Sequence, residues 1–124
     1  MILGIGNDLA DSRRFEKSLQ KIGDRLAQRI LTDHEYAGFC SAGQPAVFLA
    51  KRFAIKEAVA KALGTGFRQG VSWRDISLHH TELGQPEIRL SGAAQRRLEL
   101  LRGTTVHVSL SDEGHLVSAF AVIC

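Results

Sequence analysis

The chain has 124 residues, 44% apolar and 23% charged, which suits one soluble globular domain spanning 1–124 with a core of its own. Sixteen Lys and Arg against thirteen Asp and Glu leave a net +3, a mild excess that favours acidic or phosphorylated partners without choosing among them. No apolar run approaches the roughly 20 residues of a membrane span, Met1–Asp8 lacks the form of a signal peptide, and two isolated cysteines, Cys40 and Cys124, suit neither a disulfide framework nor a zinc site; the expected compartment is a reducing cytoplasm.

In chain order, Ile2–Asp8 reads as a short strand in which Gly4 and Gly6 permit close backbone approach, and Asp8 ends it. An Asp at a strand end is ordinarily a turn or cap residue; its other use is as a ligand of a hard cation such as Mg²⁺. Ser12 caps a helix reaching Ile22, stopped by Gly23. Arg14, Lys17 and Lys21 stack on it as one stripe, either a solvated face or a docking surface for an acidic helix. A short helix follows over Asp24–Leu31. Thr32 with Glu35 forms a capping-box pattern for a third, to about Phe39.

Pro45–Leu63 contains no helix breaker, Pro45 suits a first helical position, and Gly64 stops the run. At about 100° per residue, Phe48, Ile55, Val59 and Leu63 share one apolar arc. Arg52 and Lys56 fall inside it, which predicts stems lying on apolar surface and heads reaching water. Glu57 and Lys61 lie opposite, beside Ala50 and Ala54. Glu57 either pairs with Lys61 or holds a metal beside an anion.

Beyond Gly64-Thr65-Gly66 the loop offers backbone donors, but its glycines follow a helix, so it is no Walker loop. Ser72–His80 and Glu87–Leu90 predict a hairpin turning at Leu83–Pro86, and Ser91 caps a helix that Gly103 ends. Thr105–Ser111 alternates cleanly, placing Val106, Val108 and Leu110 inward and His107 on the other face; Asp112-Glu113-Gly114 turns into a last strand, His115–Ile123. His107 is either a satisfied polar residue or a ligand contact. The elements add up to an α+β domain: an antiparallel sheet with a long central helix and shorter helices packed on one side of it.

Two segments carry a resemblance. GIGNDLADSRR, from Gly4, and FLAKRFAIKEAVAKALGTGF, from Phe48, resemble the two signatures of the holo-[acyl-carrier-protein] synthases, the small single-domain type of 4′-phosphopantetheinyl transferase. The central K-R-F-A-x-K-E-A-x-x-K-A-x-G-T-G is the specific part, and HVSLSD near the end also fits. The resemblance implies a 4′-phosphopantetheinyl transferase-like fold and transfer of the phosphopantetheine arm of coenzyme A to a serine of apo acyl carrier protein, releasing adenosine 3′,5′-bisphosphate. It also implies Mg²⁺ and a homotrimer with sites in clefts between subunits. By motif position Asp8 and Glu57 are the metal ligands and Lys61 reaches the same phosphates. Gly64, Thr65 and Gly66 bring backbone to coenzyme A, and Arg52 and His107 are candidates for its phosphates or ribose. The serine proton goes to Glu57 or to a metal-bound water. Arg14, Lys17 and Lys21 then steer the acidic carrier, and the trimer accounts for a long helix with no purely solvated side.

Two alternatives use the same residues differently. A Mg²⁺-dependent nucleotide-diphosphate hydrolase could use Asp8, Glu57 and Lys61. A non-catalytic nucleic-acid-binding module is permitted by charge but disfavoured by 6% aromatics and the lack of any stacking pattern.

Overall fold

The computed structural model describes residues 1–124. Its elements run β1 (Gly4–Asp11), α1 (Ser12–Ile22), α2 (Arg25–Ile30), α3 (Asp33–Cys40), α4 (Pro45–Ala62), a 3₁₀ turn (Trp73–Asp75), β2 (Ile76–His80), β3 (Pro86–Leu90), α5 (Gly92–Leu100), β4 (Val106–Glu113) and β5 (Leu116–Ile123). The strands form two antiparallel sheets rather than one. The first has the order β1-β5-β4, and β2-β3 is a separate hairpin. The mixed helical and antiparallel architecture is as the sequence predicts.

The first sheet has one face against α4. Gly4, Gly6, Asp8 and Ala10 of β1 share a side, in register with Ile123, Ala121, Ala119 and Val117 of β5. Those four β5 residues are buried. β1 crosses α4 so closely that a Cβ on Gly4 would stand 2.0 Å from the Ala62 carbonyl oxygen, and one on Gly6 2.1 Å from that of Ala58. Only glycine facing alanine allows that approach. Elsewhere α4 buries Leu49, Ile55, Val59 and Leu63 among residues from every helix; each such side chain contributes roughly 1.5–3 kcal/mol.

Several boundaries move for tertiary reasons. β1 does not end at Asp8 but continues to Asp11, because β5 supplies partners as far as Leu116. The α1 cap is therefore Asp11, whose carboxylate accepts from the Arg13 N–H, and not Ser12. β4 likewise runs on through Asp112 and Glu113. Ser91 precedes α5 without a side-chain cap bond. The Thr32–Glu35 capping box is present as read. The absence of a solvated side on α4 has its cause within one chain, since the sheet covers one flank and α1, α2, α3 and β2 pack on the others.

Candidate active site

β1 carries Asp8 across the flank of α4 that bears Glu57 and Lys61. Gly6, two residues earlier on the same strand face, lies against Ala58 and the Lys61 Cβ, so the tight crossing itself brings the three together. Lys61 Nζ donates to the Asn7 carbonyl at 2.9 Å and to Asp8 Oδ1 at 3.1 Å. The cation of this helix thus pairs with Asp8 across the crossing, and not with Glu57 one turn away. Asp8 Oδ2 is buried and has no partner in the protein. Burial and the negative charge of Asp8 raise the Glu57 pKa, while Lys61 and Arg14 pull it back.

An orphaned carboxylate oxygen beside a second carboxylate of raised pKa is an unfinished electrostatic arrangement. A cation beyond Lys61 would complete it. No third His, Cys, Asp or Glu joins the pair. Two oxygen donors with the other positions open suit a hard ion that keeps waters and takes substrate oxygens, and disfavour a closed zinc site.

The loop after α4 is shaped from within. Gly64 and Gly66 have φ of +80° and +57°. The Gly64 and Gly66 N–H groups donate to the Lys61 and Ala60 carbonyls. Thr65 is buried, and its hydroxyl donates to the Gly66 carbonyl at 2.8 Å. Arg97 of α5, which the sequence did not single out, donates from Nε to the Leu63 carbonyl at 2.9 Å. A cation at a helix C-terminus satisfies a carbonyl and opposes the macrodipole.

The remaining candidates lie apart from Asp8 and Glu57. Arg52 projects from another side of α4, its guanidinium 4.7 Å over the Phe48 ring and 4.0 Å from Glu35. Its Nη1 is buried without a partner. It lines a cavity of about 500 Å³ with Lys51, His80, Pro86 and Ser109. His107 is exposed on β4, at the opposite edge of the sheet from β1, on the face turned away from α4. A single chain therefore does not bring His107 to the carboxylate pair. Arg14, Lys17 and Lys21 are exposed on α1 as one stripe. Arg14 is the member next to the site: it stacks over Phe15 and Phe53 and its charge reaches Glu57.

Lys56 is the clear departure from expectation. It does not reach water; its side chain is fully buried and paired with Glu35 at 2.6 Å. Glu35, read only as half of a capping box, was missed as its partner.

A strand crossing a helix to pair two carboxylates beside a lysine, on this α+β frame, defines a class. Residues 4–119 match the model of the 4′-phosphopantetheinyl transferase superfamily. The chain belongs to that superfamily, within the holo-[acyl-carrier-protein] synthase family. It is 47% identical over 123 residues to the holo-[acyl-carrier-protein] synthase of Shewanella amazonensis, covering 99% of this chain and 98% of the relative. The crystal structure of the Neisseria meningitidis synthase superposes with a TM-score of 0.92 at 46% identity, over 99% and 98% of the two chains. The Bacillus anthracis synthase, solved in complex with coenzyme A (3′,5′-ADP), gives 0.81 at 34% identity, over 99% and 96%.

Proposed function

We infer that this chain is a transferase that moves the 4′-phosphopantetheine moiety of coenzyme A onto a serine of apo acyl carrier protein, giving the holo carrier and adenosine 3′,5′-bisphosphate. The observation that carries the chemistry is the orphaned Asp8 Oδ2 beside Glu57 and Lys61. Asp8 and Glu57 would hold Mg²⁺. When bound, that ion supplies Lewis-acid stabilisation of the diphosphate charge. Lys61, half exposed at its tip, turns toward the phosphates and neutralises charge on the leaving bisphosphate. The serine oxygen forms the new bond to phosphorus as the phosphoanhydride bond to adenosine bisphosphate breaks. The serine proton goes to Glu57 or to a metal-bound water. The backbone of Gly64, Thr65 and Gly66 approaches coenzyme A, and Arg14, Lys17 and Lys21 receive the acidic carrier beside the site.

The working assembly is a homotrimer, and the 1–124 chain is one domain within it. Ile5, Leu9 and Phe120 share the sheet face turned from α4 and are 61%, 67% and 45% exposed. That apolar patch, on a face that also carries Asn7, Ser118 and His107, has no covering layer within the chain and suits a second copy. His107, exposed on that face and separated from Asp8 in one chain, serves the coenzyme A bound at a neighbour's carboxylates, while Arg52, in the Lys51–His80 cavity on the α4 side, is a second candidate for its phosphates. A cytoplasmic location agrees with two free cysteines, one of them exposed. No helix is long and apolar enough to cross a membrane.

Incubation with coenzyme A, Mg²⁺ and apo carrier protein, followed by weighing the carrier, tests the proposal. A mass gain of one phosphopantetheine arm is expected. Free phosphopantetheine with an unmodified carrier would indicate hydrolysis instead, and no turnover at all would leave neither enzyme reading standing.

A further inference from the structure

Lys56 stands one residue before Glu57 and points into the protein. Its ammonium has three acceptors: Glu35 Oε1 at 2.6 Å, the Ile30 carbonyl at 2.7 Å and the Trp73 carbonyl at 3.1 Å. Glu35 is equally occupied. Oε1 also accepts the Thr32 N–H at 3.0 Å and the Thr32 hydroxyl at 3.1 Å, and Oε2 accepts the Leu78 N–H at 3.1 Å. The two side chains are fully buried and tie α4 to the end of α2, the start of α3, the 3₁₀ turn and β2. We propose that Glu35 and Lys56 are positioning residues for the reaction, fixing the roll of α4 so that Glu57 and Lys61 meet Asp8.

The other flank of α4 shows why such a device is needed. There the helix meets β1 through Ala58 and Ala62 against Gly6 and Gly4. Apart from the Lys61 bonds to Asn7 and Asp8, which belong to the site itself, small residues form a smooth contact there, and apolar burial has no direction. Hydrogen bonds have both a length and an angle. A roll of about 20° at a side-chain radius near 5 Å displaces a carboxylate by about 2 Å. That equals a whole Mg²⁺–oxygen bond of about 2 Å, and this ion tolerates little distortion. Stability alone does not explain the pair, because replacing a buried ion pair by neutral groups of similar volume is often neutral or stabilising.

The proposal rests on Asp8 and Glu57 holding Mg²⁺, and its test separates the two. Calorimetric titration with MgCl₂ is run on the unsubstituted protein and on the Glu35→Gln/Lys56→Met pair, with steady-state kinetics alongside. The pair variant is expected to keep its circular dichroism and a cooperative melt, while Mg²⁺ affinity falls about tenfold or more. kcat falls with it, and KM for coenzyme A stays unchanged. Leu98→Ala, in the core under α5, lowers Tm without moving the Mg²⁺ affinity, which distinguishes positioning from general destabilisation. Parental Mg²⁺ affinity in the folded pair variant overturns the proposal. Should that variant not fold, Lys56→Arg, which keeps both buried charges but changes the length and angle of their bonds, is read by the same two outcomes. No Mg²⁺ binding by the unsubstituted protein refutes the two-carboxylate reading first, and this proposal with it.

Discussion

Gly6→Ala probes the point where fold and site are the same thing. The added Cβ would stand 2.1 Å from the Ala58 carbonyl oxygen, 2.8 Å from the Ala62 nitrogen and 3.0 Å from the Lys61 Cβ. Ordinary contact begins at 3.4 Å, so β1 and α4 must part by about 1.3 Å. Two of the three atoms are helix backbone, which cannot swing aside. Overpacking of this kind costs about 1–3 kcal/mol, or a fall in Tm of roughly 4–15 °C for a chain of this size. The functional loss is larger than the stability loss implies. The displacement falls between Asp8 on the strand and Glu57 on the helix, and a misplacement near 1 Å can cost about 100-fold in rate. The assay is holo-carrier formation by mass spectrometry at a temperature where the variant is folded by circular dichroism. Gly43→Ala, where a Cβ meets nothing within 4 Å, is the control. A folded Gly6→Ala protein with parental activity would refute the strand–helix crossing as the source of the site geometry.

Three further outcomes follow from named contacts. The folded-state pKa of Glu57 is raised, so without metal its ionised form opposes folding above the ordinary carboxylate pKa; its favourable contribution is complete below that value and is lost as pH rises through the raised one. Glu57→Gln is therefore expected to raise the Tm of the metal-free protein at about pH 7, to lose that advantage near pH 4, and to abolish the Tm increase on adding Mg²⁺; a lower metal-free Tm at neutral pH contradicts the sign. Lys17→Glu/Lys21→Glu leaves Arg14, with its influence on Glu57, untouched; the double variant should raise KM for the carrier about tenfold, weaken its salt dependence and spare KM for coenzyme A, whereas equal losses for both substrates would remove the carrier-docking role. Phe120→Asp places a charge in the exposed sheet face; if the proposed homotrimer forms through it, analytical ultracentrifugation should show smaller, less active species for the variant than for the parent, and an unchanged, fully active assembly would move the interface elsewhere.

What the sequence disclosed and what it withheld divide along the range of the interactions. Thr32 and Glu35 are three residues apart, so their capping box is legible from spacing alone. Pro45 and Gly64 mark α4 by local backbone rules, and alternation identifies β4. The end of β1 is set by Leu116, more than a hundred residues away, and no local pattern reports it. Lys56 was misplaced for a related reason. A helical wheel gives the direction of a side chain, not what stands at its tip, and here the tip meets a carboxylate from a distant helix instead of water. The one available signal was Glu35 itself, an acid spaced four residues from Leu31 and four from Phe39, both of them buried.

Neighbouring charges on α4 show how structural and functional groups can be told apart. Lys56 has acceptors for all three protons, and Glu35 spends both oxygens on donors within the chain. Such groups have nothing left for a ligand. Two buried atoms remain without partners, Asp8 Oδ2 and Arg52 Nη1, one anionic and one cationic. A folded chain tolerates an unpaired buried polar atom only against a cost of about 1–3 kcal/mol, so its persistence points to a partner outside the chain. The anionic orphan beside Glu57 asks for a cation, and the cationic one in the Lys51–His80 cavity for an anion. A divalent ion and a phosphorylated substrate would answer both, which is the pair of ligands that the proposed reaction calls for.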